Sequence, residues 1–247
     1  MKKDTEDRQD LPRDEAPEAE EAVRVLLVDD HAIWRAGVRS LLEGTEFHVV
    51  GEAASGREAL EQARALQPRL VLLDIRMEHD DGLDALQALK GEHPQMIVVL
   101  LTTYDDPAYL ARAVAGGAAG YLLKGIRRKE LLQALQAVVR GEMLLGPEDL
   151  ARSLRDVRAR DAAAAGQQRT GFRPNTSLSP LSEREQDVLR LLASGLNNRD
   201  IGVRLFVAES TIKTHVEHIF TKLRVSDRVQ AAVWAARHGF APEQLEE

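Results

Sequence analysis

Five side chains that could handle a phosphoryl group fall at the ends of short apolar runs. Asp29 and Asp30 follow directly on the run at 25–28, and Asp74 follows the run at 70–73. Thr102 and Lys124 close the runs at 96–101 and 120–123. Three carboxylates brought to one edge repel one another unless a cation joins them. Mg²⁺ suits such a group, because it binds a few carboxylates and keeps room for water and phosphate oxygens. A hydroxyl and an ammonium at the same edge serve an anion. Together the five describe a site that places a phosphoryl group on a carboxylate. In it Asp74 is the nucleophile, Mg²⁺ neutralises charge, and Lys124 and Thr102 hold the product oxygens. Thr103 is a weaker candidate for the hydroxyl, since strand alternation turns it away if Thr102 faces the site.

Each residue has a plainer reading. Asp30 could cap a helix starting near Ala32, Asp74 could sit in a turn, and Lys124 could be a solvated lysine. It is the recurrence at four successive apolar runs that favours a site.

The elements that must position these residues are legible in the pattern. Short, nearly continuous Val/Leu/Ile runs at 25–28, 48–53, 70–73, 96–101 and 120–123 suit strands buried on both faces of a parallel sheet. Helical stretches lie between and after them, near 31–42, 56–66, 82–90, 107–116 and 127–140. The alternation predicts a doubly wound five-stranded α/β sheet, whose ligands bind at the carboxyl ends of the strands.

The rest of the chain divides by composition. Residues 1–22 form an acid-rich tail too polar to offset its ordering entropy, so disorder is expected there. The α/β unit is expected over 23–143. Residues 144–178 read as an interdomain linker, partly a charged helix near 148–160 and partly a flexible stretch rich in Ala, Gly and Pro. An all-helical unit is expected over 179–241, with a short tail at 242–247. The chain has no cysteine, which excludes disulfide scaffolds and thiolate metal sites. No run is long enough for a membrane span, and the polar N-terminal stretch does not look like a secretory signal. A cytoplasmic protein without membrane contact is expected. The formal net charge of −7 argues against a general nucleic-acid coat but leaves room for a local basic surface.

In the C-terminal unit, Ser182 and Glu185 form an S-x-x-E capping box ahead of a helix ending near Ala193, and Gly195 is placed to stop it. A short helix at 198–205 and a longer one at 209–223 follow, then one at 227–238. In the longer helix Ile212, Val216, Ile219 and Leu223 make one apolar stripe. The opposite face carries Ser210, Lys213, Thr214, Glu217, His218 and Lys222. A short helix, a tight turn and a longer helix with a polar face suit the major groove of double-stranded DNA. Lys213 is expected at a base edge and Lys222 at a phosphate. Glu217 either accepts from a cytosine or pairs with Lys213. Ala208 leaves the longer helix without a side-chain cap.

The motifs VLLVDDH at 25–31, LLDIRM at 72–77 with DG at 81–82, LLTTYDD at 100–106 and GYLLKG at 120–125 resemble the receiver domain of bacterial response regulators. Residues 181–225 resemble the DNA-binding domain of the NarL/LuxR class. The resemblance implies that Asp74 is the phosphoacceptor and that Asp30, with Asp29, Asp74 and the backbone carbonyl of Arg76, holds the metal. It implies that Thr102 is the switch hydroxyl, Lys124 the phosphate-binding lysine, and Tyr121 the aromatic that changes rotamer. It further implies a sensor histidine kinase as partner, operator DNA as target, and a homodimer when active. Many relatives carry Pro where this chain has Glu78 and Gly125, so the loop after Lys124 is expected to differ. Two other readings stay open: a phosphatase that turns over through Asp74, and a constitutive DNA-binding protein with a silent receiver.

Overall fold

A computed structural model describes residues 22–78, 80–103, 107–142, 144–167 and 181–240. The acidic tail expected at 1–22 therefore lies, but for residue 22, outside the described residues. So do residues 168–178 of the expected linker and the tail at 242–247.

Five strands, β1 (Val23–Val28), β2 (Phe47–Ala53), β3 (Leu70–Asp74), β4 (Ile97–Thr102) and β5 (Gly120–Leu123), form one sheet in the order β2-β1-β3-β4-β5, every pairing parallel. Five helices alternate with or follow them: α1 (Ala32–Leu42), α2 (Gly56–Leu66), α3 (Gly82–Glu92), α4 (Pro107–Ala115) and α5 (Arg128–Val139). Alternate residues feed two cores. Leu26, Val28, Val71, Leu73, Val98 and Leu100 pack on one face of the sheet. Val25, Leu27, Leu70, Leu72, Val99 and Leu101 pack on the other. Both faces are dry, which is why the runs lack polar alternation.

The strand order reverses direction between β1 and β3, and the chain there is held tightly. The Gly82 N–H donates to the Ile75 carbonyl at 2.9 Å, and the Asp81 carboxylate caps α3 by accepting from the Leu83 N–H at 2.9 Å. A Cβ on Gly82 would lie 2.1 Å from the Asp74 carbonyl oxygen and 2.8 Å from the Ile75 Cα. The DG pair thus lets the start of α3 touch the backbone of Asp74.

The C-terminal unit comprises α7 (Glu183–Ala193), α8 (Asn198–Leu205), α9 (Glu209–Leu223) and α10 (Arg228–Arg237). Ser182 and Glu185 form the reciprocal capping box, Asn197 caps α8, and α9 starts at Ala208 with no side-chain cap. Gly195 ends α7 at φ +87°. Ile212, Val216, Ile219 and Leu223 are buried, as their spacing requires.

The stretch read as a linker contains more order than its composition suggests. Helix α6 (Pro147–Gln167) runs 21 residues and buries Leu150, Leu154 and Val157 on one stripe. These side chains join Val114 of α4 and the cores of α7, α9 and α10 in a single apolar cluster. Charge on its outer face disguises the stripe in sequence.

Replacing Gly82 by Ala forces a methyl into backbone, and overpacking of this kind costs about 1–3 kcal/mol. Thermal unfolding of Gly82→Ala is expected at a lower midpoint than the parent chain, and an unchanged midpoint contradicts the contact.

Candidate functional site

Strand register brings the candidate groups together. Val28 pairs with Leu73, so Asp29 and Asp74 leave adjacent strands side by side. Asp74 pairs with Leu101, and Thr102 pairs with Leu123 one residue before Lys124. The Lys124 ammonium lies 2.6 Å from Asp29 Oδ2 and 2.7 Å from Asp74 Oδ2. Both carboxylates and Thr102 are buried. Asp74 is the last residue of its strand rather than the first beyond it, and Thr102 closes its strand as expected.

Burial dominates the electrostatics. It pushes the Asp74 carboxyl above the usual range, and the nearby Asp29 charge adds to this while Lys124 opposes it. Burial works against the Lys124 charge too, yet hydrogen bonds to Asp29 and Asp74 hold its pKa above the ordinary lysine value. Asp30 is more open. Burial would raise its carboxyl, but the Glu78 N–H at 2.7 Å and the His31 ring at 2.6 Å hold it below the usual range.

The fit to a metal is good on donor chemistry. Asp29, Asp30, Asp74 and His31 each offer one atom, all within 4.8 Å of one another. Carboxylate oxygens are what a hard divalent cation takes. Asp30 does not cap α1, contrary to its plainer reading. His31 takes the N-cap position without a side-chain bond, and its N–H donates to Asp29 Oδ1 at 2.8 Å. The Arg76 N–H lies 3.3 Å from Asp74 Oδ1, which sets that peptide at the rim of the site. The Arg76 guanidinium sits 5.4 Å from the centre of the Tyr109 ring on α4. Tyr121 is half-buried on β5 against the α3-side core, and Thr103 is exposed. The loop after Lys124 does differ, as expected: Gly125 has φ +95°, which proline cannot adopt.

On α9, Ser210, Lys213, Thr214, Glu217 and His218 are exposed along one face. No ion pair joins Lys213 to Glu217 among the described residues. Lys222, expected at a phosphate, is about one-third exposed and pairs within its own unit. Its ammonium turns inward to Glu185 Oε2 at 2.7 Å, where the buried carboxylate also completes the α7 capping box. Burial would raise Glu185, but Lys222 and Ser182 hold it below the usual carboxylate range.

Several residues of the contact between the two units gave no signal in sequence. Lys90, at the end of α3, buries its ammonium against the Met96 carbonyl at 2.5 Å, Ser226 Oγ at 2.8 Å and Asp227 Oδ2 at 3.4 Å. Burial lowers its pKa, with Asp227 opposing. Phe220 of α9 packs on Gly141. A cleft of about 740 Å³ separates Arg140 and Glu142, after α5, from Asn198, Arg199, Ser210 and Lys213. Arg228 closes its floor with bonds to Asn198 Oδ1 at 2.9 Å and to the Leu196 carbonyl, its pKa lowered to about 10 by burial. A Lys and an Arg read from sequence are ordinary solvated charges, and only packing distinguishes these two.

Comparison with known proteins identifies the family of each unit. Residues 25–136 match the response regulator receiver domain, and residues 179–235 match the bacterial regulatory proteins of the luxR family. The chain is 38% identical over 218 residues to the transcriptional regulatory protein LnrK of Bacillus subtilis, covering 88% of this chain and 98% of that one. It is 35% identical over 217 residues to the response regulator protein VraR of Staphylococcus aureus, covering 87% and 97%. A crystal structure of response regulator ChrA, from a heme-sensing two-component system, is 33% identical, with a TM-score of 0.44 and coverage of 89% and 99%.

A carboxyl whose folded pKa is raised destabilises the fold as pH climbs above its unfolded value, because the folded state holds the proton longer. With metal chelated, Asp74→Asn is expected to unfold at a higher temperature than the parent at pH 7. The difference should shrink as pH falls toward 4, and thermal melts across that range measure it.

Proposed function

The chain belongs to the LuxR-type response regulators of two-component systems, and from that membership we propose that Asp74 accepts the phosphoryl group that controls DNA binding by α9. The observation that carries this reading is the Lys124 ammonium held between Asp29 and Asp74 at the strand ends. A carboxylate oxygen of Asp74 attacks phosphorus while the P–N bond of a kinase phosphohistidine, or the P–O bond of a small acyl phosphate, breaks. Asp29, Asp30, Asp74 and the Arg76 carbonyl would hold Mg²⁺, which supplies charge neutralisation when bound. Lys124 and Thr102 receive the arriving oxygens, and Tyr121 follows Thr102 inward. A sensor histidine kinase is the natural donor. Ile33, 90% exposed, and Ile126 offer apolar surface beside the site for a protein donor to cover. In this reading the family's role as a transcription regulator makes the chain a cytoplasmic switch rather than a turnover enzyme. No helix among the described residues is long and apolar enough to cross a membrane.

The domain contact supports a particular control. A major groove is roughly 12 Å wide and belongs to a thicker duplex. Arg140 and Glu142 face Ser210 and Lys213 across the cleft, where a duplex on the start of α9 would have to lie. We read this arrangement as the resting state. Phosphorylation shifts the α4–β5 surface, releases α10 and the start of α9, and favours a homodimer on two half-sites. Ser210, Lys213, Thr214, Glu217 and His218 then face the DNA, while Lys222 stays with Glu185. The boundaries that fit this reading are a receiver over 23–143 and a DNA-binding unit over 179–241, joined by 144–178 with α6 as a docked strut.

Two experiments test it. With radiolabelled acetyl phosphate and Mg²⁺, Asp74→Asn should take up no label; stoichiometric labelling of that variant refutes the site, and multiple turnover by the parent favours a phosphatase. Lys90→Ala, unphosphorylated, should bind DNA selected from a random library several-fold more tightly than the parent. Equal affinity contradicts the resting-state contact.

A further inference from the structure

The Lys124 ammonium has a third neighbour besides its two carboxylates. The ring of Trp34 lies with its centroid 4.7 Å from Nζ. A cation over an indole face is attracted by the ring quadrupole, and more strongly when water is excluded. The Lys124 side chain is 9% exposed. We propose that Trp34 is a positioning residue for Lys124, holding its charge where the transferring oxygens arrive. The inference rests on the reading of Asp74 as acceptor and Lys124 as its phosphate-binding cation.

The reason lies in what happens to the other two anchors. Phosphoryl transfer consumes an oxygen of Asp74, and a bound divalent cation would compete with Lys124 for Asp29. Both carboxylates are thus altered by the event that Lys124 must serve. The indole face is neither consumed nor claimed by a metal, so it restrains the ammonium throughout. The backbone of Lys124 is held by its N–H donating to the Thr102 carbonyl at 2.5 Å, so the freedom left to restrain is that of the four-carbon stem. Its flexible stem would otherwise leave the charge free to swing.

The backbone of Trp34 is well fixed. It lies in the first turn of α1, four residues after Asp30, and its backbone N–H donates to the His31 carbonyl at 3.0 Å. Its side chain packs against the core beneath α1 and α5 and, with Val38, Leu101 and Leu131, borders an apolar cavity of about 320 Å³. A leucine there would fill volume but present no negative face to the ammonium.

The test uses the full chain with acetyl phosphate as donor. Trp34→Leu should lower the maximal phosphorylation rate roughly three- to tenfold, in line with an attraction of this class. Half-saturating donor and Mg²⁺ affinity should stay unchanged, because Asp29, Asp30 and Asp74 are untouched. Trp34→Phe, which keeps a ring face, should restore most of the rate. Should Trp34→Leu fold poorly, Trp34→Met gives the same comparison with a more adaptable side chain. A ringless variant that phosphorylates at the parent rate overturns the proposal. So does a Phe variant as slow as the ringless one, or a loss that comes with weakened Mg²⁺ binding. Label retained by Asp74→Asn would instead overturn the underlying reading, whatever Trp34 does.

Discussion

The arrangement at the strand ends depends on one cation balancing two buried carboxylates. Asp29 and Asp74 emerge from neighbouring strands into a region with little water, where two negative charges repel strongly. Lys124 bridges them at hydrogen-bond distance and retains its proton because of them. The balance is incomplete: Asp74 still sits above its ordinary pKa. Asp29, Asp30 and Asp74 also outnumber the one ammonium, an imbalance that a divalent cation would relieve, and that ammonium is ready for an anion. A phosphoryl group with its metal satisfies both conditions at once.

Everything near that centre serves to fix it. Gly82 brings α3 onto the backbone of Asp74, the Glu78 N–H and His31 orient Asp30, and the Trp34 ring flanks the ammonium. Continuous Val/Leu packing on both faces of the sheet makes the strand tips rigid, so small displacements there cannot be absorbed locally. Next to the sheet edge lies α4 with its partners. There Val114 joins α6 and the core of the DNA-binding unit in one apolar cluster, and Lys90 ties α3 to the cap of α10. The site and the reading helix are thus joined by packed elements rather than by a loose tether.

Much of this was legible in the residues. Buried parallel strands show as unbroken Val/Leu runs, and the groups that follow such runs must gather at one edge. The fold class and the grouping of Asp29, Asp30, Asp74, Thr102 and Lys124 follow from that rule alone. The stripe of Ile212, Val216, Ile219 and Leu223 likewise dictated which face of α9 is free. Helix α6 was harder to read, because three buried side chains among many charges resemble a solvated linker.

Local pattern, then, determined what lies along each strand and helix, since periodicity and caps act within a few residues. Only tertiary structure decided which charged side chains are solvated and which are buried. Lys90, Arg228 and Lys222 are ordinary surface residues by composition. They become a domain tie, a buried prop and a partner of Glu185 through neighbours far along the chain. Desolvation and pairing depend on distance in space, and no pattern in one stretch of sequence encodes which distant stretch will face it.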